Sequence, residues 1–252
     1  MRYTMKEILA SYTKEKRRES SLWARVFSRP LSFPLTYIFI NLGFSADVMS
    51  VISMVEVIAA CALILVGGKF TRIGIFMYVM WHVLDCCDGN IARVKKASTY
   101  AGEFFDAVSG YLPPALIFLC IGVTAFRTTA LPADKSYWLI VLGAIASISD
   151  ILGRLIYQKY LVTEYRLDLI GKSGDIDQVR RVGFYHVIDV IMRTMTYSCA
   201  FMPLLILSAV FNRYDLLISV FAVYNFAFML ASAVFFVKKA YSLNSRLNAK
   251  TK

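Results

Sequence analysis

The chain has 252 residues, 58% of them hydrophobic, with a mean hydropathy of +0.58 and a formal net charge of +11 at pH 7. This composition excludes a soluble globule and fits one polytopic membrane domain. The positive charge is spread over many loops and accompanies no nucleic-acid-binding motif, so no nucleic-acid partner is expected.

Residues 1–30 are polar and basic, with Lys14, Lys16, Arg17 and Arg18 clustered. No apolar core follows at signal-peptide distance, so no cleaved signal is expected. The cluster reads as the positive flank of a membrane protein, or as a polybasic surface against anionic headgroups. Leu31 to Phe44 is apolar but too short to span a bilayer. It suits an amphipathic juxtamembrane helix lying in the headgroup plane, with Pro30 and Pro34 at its start. Ser45 is placed to cap the next helix, and Asp47 suits its positive N-terminal end.

Six apolar spans follow, at about 47–67, 73–95, 101–126, 136–160, 185–211 and 215–238. Lys and Arg concentrate in residues 1–30, the 93–96 turn, the 159–181 loop and the tail from Lys238. The opposite turns hold only Lys69, Arg72, Arg127, Lys135 and Arg213. The positive-inside rule then puts both termini in the cytoplasm. The expected fold class is an all-α integral membrane protein: six transmembrane helices preceded by an amphipathic juxtamembrane helix. Its expected organisation is a basic cytoplasmic segment over 1–30, a membrane domain over 31–241 and a cytoplasmic tail over 242–252. The longest cytoplasmic connection is the 161–184 loop. Gly171-Lys172-Ser173-Gly174 within it lacks the preceding strand and the full spacing of a phosphate loop. Cys61, Cys86, Cys87, Cys120 and Cys199 all lie in apolar segments without a disulfide framework or metal-site spacing, and read as packing residues.

The chemistry concentrates in Asp85 to Gly110, DCCDGNIARVKKASTYAGEFFDAVSG. Three carboxylates, Asp85, Asp88 and Asp106, stand in segments that otherwise read as membrane helix. A carboxylate there faces a partner or a water-filled cavity. Asp85 and Asp88 are i,i+3 and share a helix face. Ala92 continues that face with little bulk, and Gly89 permits close approach of a backbone or a phosphate. Gly102, Asp106 and Gly110 follow one another at intervals of four on the next helix, so a hairpin through the basic run Arg93 to Tyr100 can bring Asp106 opposite the first pair. Three converging carboxylates suit a hard divalent cation of the Mg²⁺ kind.

These residues resemble the signature of the CDP-alcohol phosphotransferases, D-x2-D-G-x2-A-R-x8-G-x3-D-x3-D. Asp85, Asp88, Gly89, Ala92, Arg93, Gly102 and Asp106 match it in type and spacing. The last position departs: Gly110 stands where the signature has its fourth aspartate. The resemblance implies a membrane transferase in phospholipid or related phosphodiester synthesis, which moves a substituted phosphoryl group from a CDP-linked donor to an acceptor and releases CMP. It implies Asp85, Asp88 and Asp106 as catalytic ligands of Mg²⁺ or Mn²⁺. It implies a nucleotide pocket shaped by Asp85, Asp88, Gly89, Ala92, Arg93 and Gly102. Membrane lipids as partners, a homodimer and a prokaryotic inner membrane are further implications.

Two i,i+4 pairs recur in later spans, Asp150 with Arg154 and Asp189 with Arg193. Each pair neutralises itself within the bundle, or the arginines form an anion site for the acceptor, as the resemblance implies from family members with phosphorylated acceptors, which use basic residues on equivalent later helices. His82 reads as packed, with a supporting contact to Asp85 as the other reading, and His186 as interfacial. The missing fourth carboxylate leaves two routes open. Another carboxylate such as Glu103 acts as base, or the acceptor is already an oxyanion and needs none. A rival from another class is a non-catalytic relative that binds nucleotide or lipid. A transporter would also carry ionisable groups in its spans, but leaves the seven signature matches without a reason.

Overall fold

A computed structural model gives the fold and describes residues 2–96, 100–169 and 200–250. Asp189, Arg193, His186, Cys199 and the Gly171–Gly174 stretch lie outside the described residues, as does the side chain of Glu103. Among the described residues every regular element is a helix.

Two short helices come first, α1 (Met5–Ala10) and α2 (Lys14–Glu19). Thr4 and Glu7 close a capping box on α1: Glu7 N donates to Thr4 Oγ1 at 3.3 Å, and Thr4 N donates to Glu7 Oε2 at 2.7 Å. These Thr4 hydrogen bonds hold the Glu7 carboxyl below its ordinary range. Thr13 caps α2 by a single bond, its Oγ1 accepting from Lys16 N at 3.2 Å. A π-helical turn (Ala24–Ser28) then runs into α3 (Arg29–Asn41). Pro30 sits at the start of α3, where its missing N–H costs nothing. Pro34, expected near the start as well, lies inside the helix and deprives the Pro30 carbonyl of its i+4 donor.

α4 (Ala46–Val66) begins where Ser45 Oγ accepts from Val48 N at 3.2 Å, the expected cap. The later helices are α5 (Lys69–Lys95), α6 (Tyr100–Thr128), α7 (Ala133–Ser136), α8 (Trp138–Leu169), α9 (Phe201–Phe211) and α10 (Tyr214–Lys250). Among the described residues, four stretches are long and apolar enough to cross a membrane: Ala46–Val66, Tyr100–Thr128, Asp134–Thr163 and Tyr214–Ser242. They fit an integral membrane protein. α5 has 27 residues and a length of about 40 Å. Its C-terminal end carries Asp85, Asp88, Arg93 and Lys95, which takes it out of the purely apolar class. Of the expected 185–211 span, only the end, α9, lies among the described residues. α8 continues as helix to Leu169, nine residues into what the sequence suggested was loop or its approach.

α4 and α5 pack antiparallel. Ser50, early in α4, meets Asp88, late in α5, while Gly74, early in α5, lies against Ala60 and Ile64 late in α4. A Cβ on Gly74 would stand 2.5 Å from the Ala60 carbonyl oxygen, so this crossing admits no side chain. α6 and α8 cross equally closely at Gly122 and Gly143. Small residues of this kind let membrane helices approach to backbone contact. Phe118, Phe201 and Phe221 close the core between α6, α9 and α10, with ring centroids 4.8 to 5.8 Å apart. Asn225 Nδ2 donates to the Ala146 carbonyl at 3.1 Å and ties α10 to α8 inside the bundle.

The N-terminal segment is part of this packing. Ile8 is fully buried in a cluster with Ile40, Met49, Cys87 and Ile91. Tyr3 N donates to Asn41 Oδ1 at 2.8 Å, and Asn41 Nδ2 returns a bond to the Tyr3 carbonyl at 3.1 Å. Residues read from sequence as a basic flank therefore fold onto α3 and α5, because a few apolar residues among the charges find a shared core.

Candidate metal and phosphate site

The last three turns of α5 and the first two of α6 bring Asp85, Asp88 and Asp106 together. One carboxylate oxygen from each lies within 4.8 Å of the others. Asp88 is buried, Asp85 half-buried and Asp106 exposed, so the cluster opens on the α6 side. Ser50 Oγ donates to Asp88 Oδ2 at 2.6 Å, and Gly89 N donates to Asp88 Oδ1 at 2.5 Å. Both oxygens of the deepest carboxylate are thereby oriented.

The donor set fits a hard divalent cation. It consists of carboxylate oxygens whose mutual repulsion a cation relieves. The neighbouring soft ligand is turned elsewhere: Cys87 Sγ donates to the carbonyls of Val83 and Ser32. His82 is buried beside the π-helical turn, its Nδ1 2.6 Å from Ser28 Oγ, and serves that packing contact instead of an aspartate.

Basic groups flank the cluster. Asn90, fully buried, accepts at Oδ1 from Arg29 Nη1 at 3.0 Å and from Arg93 Nη2 at 2.6 Å. Its Nδ2 donates to Ser32 Oγ and Thr36 Oγ1, both at 3.0 Å. Ser28, Ser32 and Thr36 form a buried polar stripe along one side of α3, against α5, while Leu31, Tyr37 and Ile38 are exposed on the other. The charge of Arg29 acts on Asp85 and Asp88, and those of Lys16 and Arg93 act on Asp106. Lys95 Nζ donates to the Phe44 carbonyl at 2.8 Å and pins the end of α5 beside the start of α4.

The glycines differ in purpose. A Cβ on Gly89 would lie 3.2 Å from Arg93 Nη1, so the glycine leaves that guanidinium its place. A Cβ on Gly110, one turn beyond Asp106, would meet nothing within 4 Å. Gly110 borders open space and is not required by packing. Ala92 and Gly102 lie on the two helix ends that border the Arg93–Tyr100 connection. Arg154 Nε donates to Asp150 Oδ2 at 2.5 Å, with side chains 30% and 14% exposed. Its charge also acts on Tyr111, the neighbour of Gly110. α8 thus brings a half-buried cation to the region of Gly110.

Sequence reasoning missed four polar groups here: Lys16, Arg29, Ser50 and Asn90. Ser50 and Asn90 carried a faint signal, as polar residues at helical spacing beside the motif. Lys16 and Arg29 carried none beyond their charge.

The family model for CDP-alcohol phosphatidyltransferase matches residues 44–241, more than half of the chain. The chain belongs to the CDP-alcohol phosphatidyltransferase family. A search of curated proteins and of solved structures finds no match. The family domain supports a phosphotransferase role in phospholipid synthesis for this chain, in a family that generally depends on a divalent metal. The carboxylate cluster, Arg93 and Arg154 fall inside the matched stretch, whereas Lys16 and Arg29 precede it.

Proposed function

We propose that the protein moves a substituted phosphoryl group from a CDP-linked donor, a CDP-alcohol or CDP-diacylglycerol, to an acceptor at the membrane, with release of CMP. The observation that carries this reading is the convergence of Asp85, Asp88 and Asp106 beside Arg93 and beside the space at Gly110. Bound to those three carboxylates, Mg²⁺ or Mn²⁺ supplies charge neutralisation at the donor diphosphate.

The chain's own residues do the rest. Ser50 and Gly89 N hold Asp88 in one orientation. Gly89, lacking a side chain, lets the diphosphate approach α5, and Arg93 offers it a guanidinium fork. Ala92 and Gly102 leave space for the nucleotide. The acceptor oxygen forms a new bond to the phosphorus that carries the alcohol, and the bond from that phosphorus to CMP breaks, its electron pair leaving with CMP. Gly110 supplies no base. An acceptor that is already an oxyanion, such as a phosphate, phosphonate or carboxylate, needs none and fits the space there. Arg154, with Arg193 outside the described residues, attracts such an acceptor. A neutral alcohol would instead require Glu103 as base.

The membrane frame belongs to the same reading: six spans counting α5 and the segment ending in α9, both termini cytoplasmic, and a homodimer in a prokaryotic inner membrane. Residues 1–30 and 242–252 flank the domain on the cytoplasmic side. Gly110 also supports one rival, a non-catalytic relative that binds nucleotide or lipid. Incubating the purified protein with CDP-linked donors and a panel of anionic and neutral acceptors tests both. The expected result is metal-dependent CMP release. Retained CDP binding without CMP from any donor and acceptor establishes the rival.

A further inference from the structure

We propose that Arg29 is a ligand-binding residue of the site: paired with Arg93 on the amide of Asn90, it forms a two-guanidinium seat for the donor's diphosphate. This rests on the CDP-donor reading and adds to it a residue that precedes the family-matched stretch.

The geometry starts with Asn90. A primary amide has two donor hydrogens and an acceptor oxygen with two lone pairs. Here all four are used: Nδ2 donates to Ser32 and Thr36 of α3, and Oδ1 accepts from Arg29 and Arg93. The two hydroxyls fix which way the amide faces, so its oxygen points at the arginines. Asn90 thus joins two cations from helices far apart in sequence. Arg29 is held from a second side by the ring of Tyr12, whose centroid lies 5.3 Å from its guanidinium carbon.

Two guanidinium groups on one neutral oxygen repel each other. Among the described residues neither forms an ion pair, and the Nε of each is buried without a hydrogen-bond partner. Nearby carboxylates feel the charge of Arg29 without contacting it. With a divalent cation on those three carboxylates, the cluster and the two arginines together carry one net positive charge. That arrangement favours a multiply charged anion, and the planar fork of Arg matches phosphate oxygens in pairs. A diphosphate spans both forks, whereas a single phosphate engages them less completely. A purely structural pair would gain more by placing a guanidinium in direct contact with one of those carboxylates.

The test compares CDP, CMP and cytidine binding to the detergent-purified full chain in Mg²⁺, by calorimetry, for wild type, Arg29→Gln and Arg29→Lys, with thermal unfolding measured alongside. The expected result is that Arg29→Gln weakens CDP by roughly tenfold or more, the scale of a lost hydrogen bond to a charged group. CMP weakens less and cytidine stays unchanged, so the preference for CDP over CMP falls. Arg29→Lys recovers part of that preference, because charge returns without the fork. An unchanged CDP-to-CMP ratio in Arg29→Gln, or an equal loss for all three ligands, overturns the proposal while leaving the CDP-donor reading intact. If Arg29→Gln does not fold, Arg29→Lys decides alone: a reduced CDP preference supports the seat, and a wild-type preference overturns it. Absence of CDP binding to the wild-type protein overturns the donor reading and this proposal with it.

Discussion

Ser50 Oγ donates a 2.6 Å hydrogen bond to Asp88 Oδ2, and this bond joins α4 to the carboxylate cluster on α5. Ser50 lies outside the signature, yet it selects the orientation of the most buried of the three acids. Groups that orient a metal ligand typically contribute 10–100-fold to metal affinity or activity, by rough precedent. Ser50→Ala is therefore expected to raise the Mg²⁺ concentration needed for half-maximal CMP release by about 10- to 100-fold. Loss of the single hydrogen bond is expected to cost about 1 kcal/mol of stability. A metal titration of activity and thermal unfolding in detergent measure the two effects.

The α4–α5 crossing is the support beneath that bond. Gly74→Val forces a side chain into the Ala60 carbonyl oxygen, which a Cβ would approach to 2.5 Å. Two backbones that close cannot both stay in place, and overpacking of this kind costs about 1–3 kcal/mol or more. The expected outcome is a lowered unfolding temperature together with a loss of activity, because Ser50 and Asp88 sit on the helices that separate. Unfolding followed by tryptophan fluorescence checks it.

What the sequence disclosed, and what it hid, follows from distance along the chain. Asp85, Asp88 and Asp106 were legible because helical spacing within one hairpin is enough to converge them. The Ser45 cap and the free, buried state of Cys61, Cys86, Cys87 and Cys120 were legible for similar local reasons. The link from Arg29 to Asn90 spans 61 residues. No local pattern distinguishes Arg29 from the other cations of a basic flank. Nor does periodicity reveal that Ser32 and Thr36, in a segment read as facing headgroups, spend their hydroxyls on Asn90. The count of spans stayed partly open: α5 mixes apolar turns with the charges of its site, and most of the fifth expected span lies outside the described residues.

Under the proposed function, a substitution at Gly110 distinguishes the two acceptor classes. A Cβ there meets nothing within 4 Å, so Gly110→Asp is expected to fold as well as wild type. On the oxyanion reading, an added carboxylate repels the anionic acceptor and fills the space proposed for it. The expected outcome is a fall of roughly tenfold or more in activity with an anionic acceptor, the scale of one charged contact reversed. A rise in activity on a neutral polyol, with no loss on anionic acceptors, contradicts the oxyanion reading.

The proposed acceptor role of Arg154, on α8, has its own test. Its Nε is committed to Asp150, and its side chain remains 30% exposed. Arg154→Gln is expected to raise the acceptor KM by roughly tenfold while leaving CDP binding unchanged. Steady-state kinetics with the acceptor varied, alongside CDP calorimetry, separates the two. Unchanged acceptor kinetics with reduced stability assigns Arg154 to the support of Asp150.

The proposed chemistry requires Asp85, Asp88 and Asp106 to act together through a bound divalent cation. CMP release from a CDP-linked donor, measured for wild type and Asp106→Asn in Mg²⁺ and in EDTA, tests this most directly. Wild type is expected to release CMP only with Mg²⁺ or Mn²⁺ present. Asp106→Asn, at an exposed position where the substitution conserves size, is expected to fold normally and to lose roughly a hundredfold or more of that rate. Full activity of Asp106→Asn in EDTA contradicts the assignment.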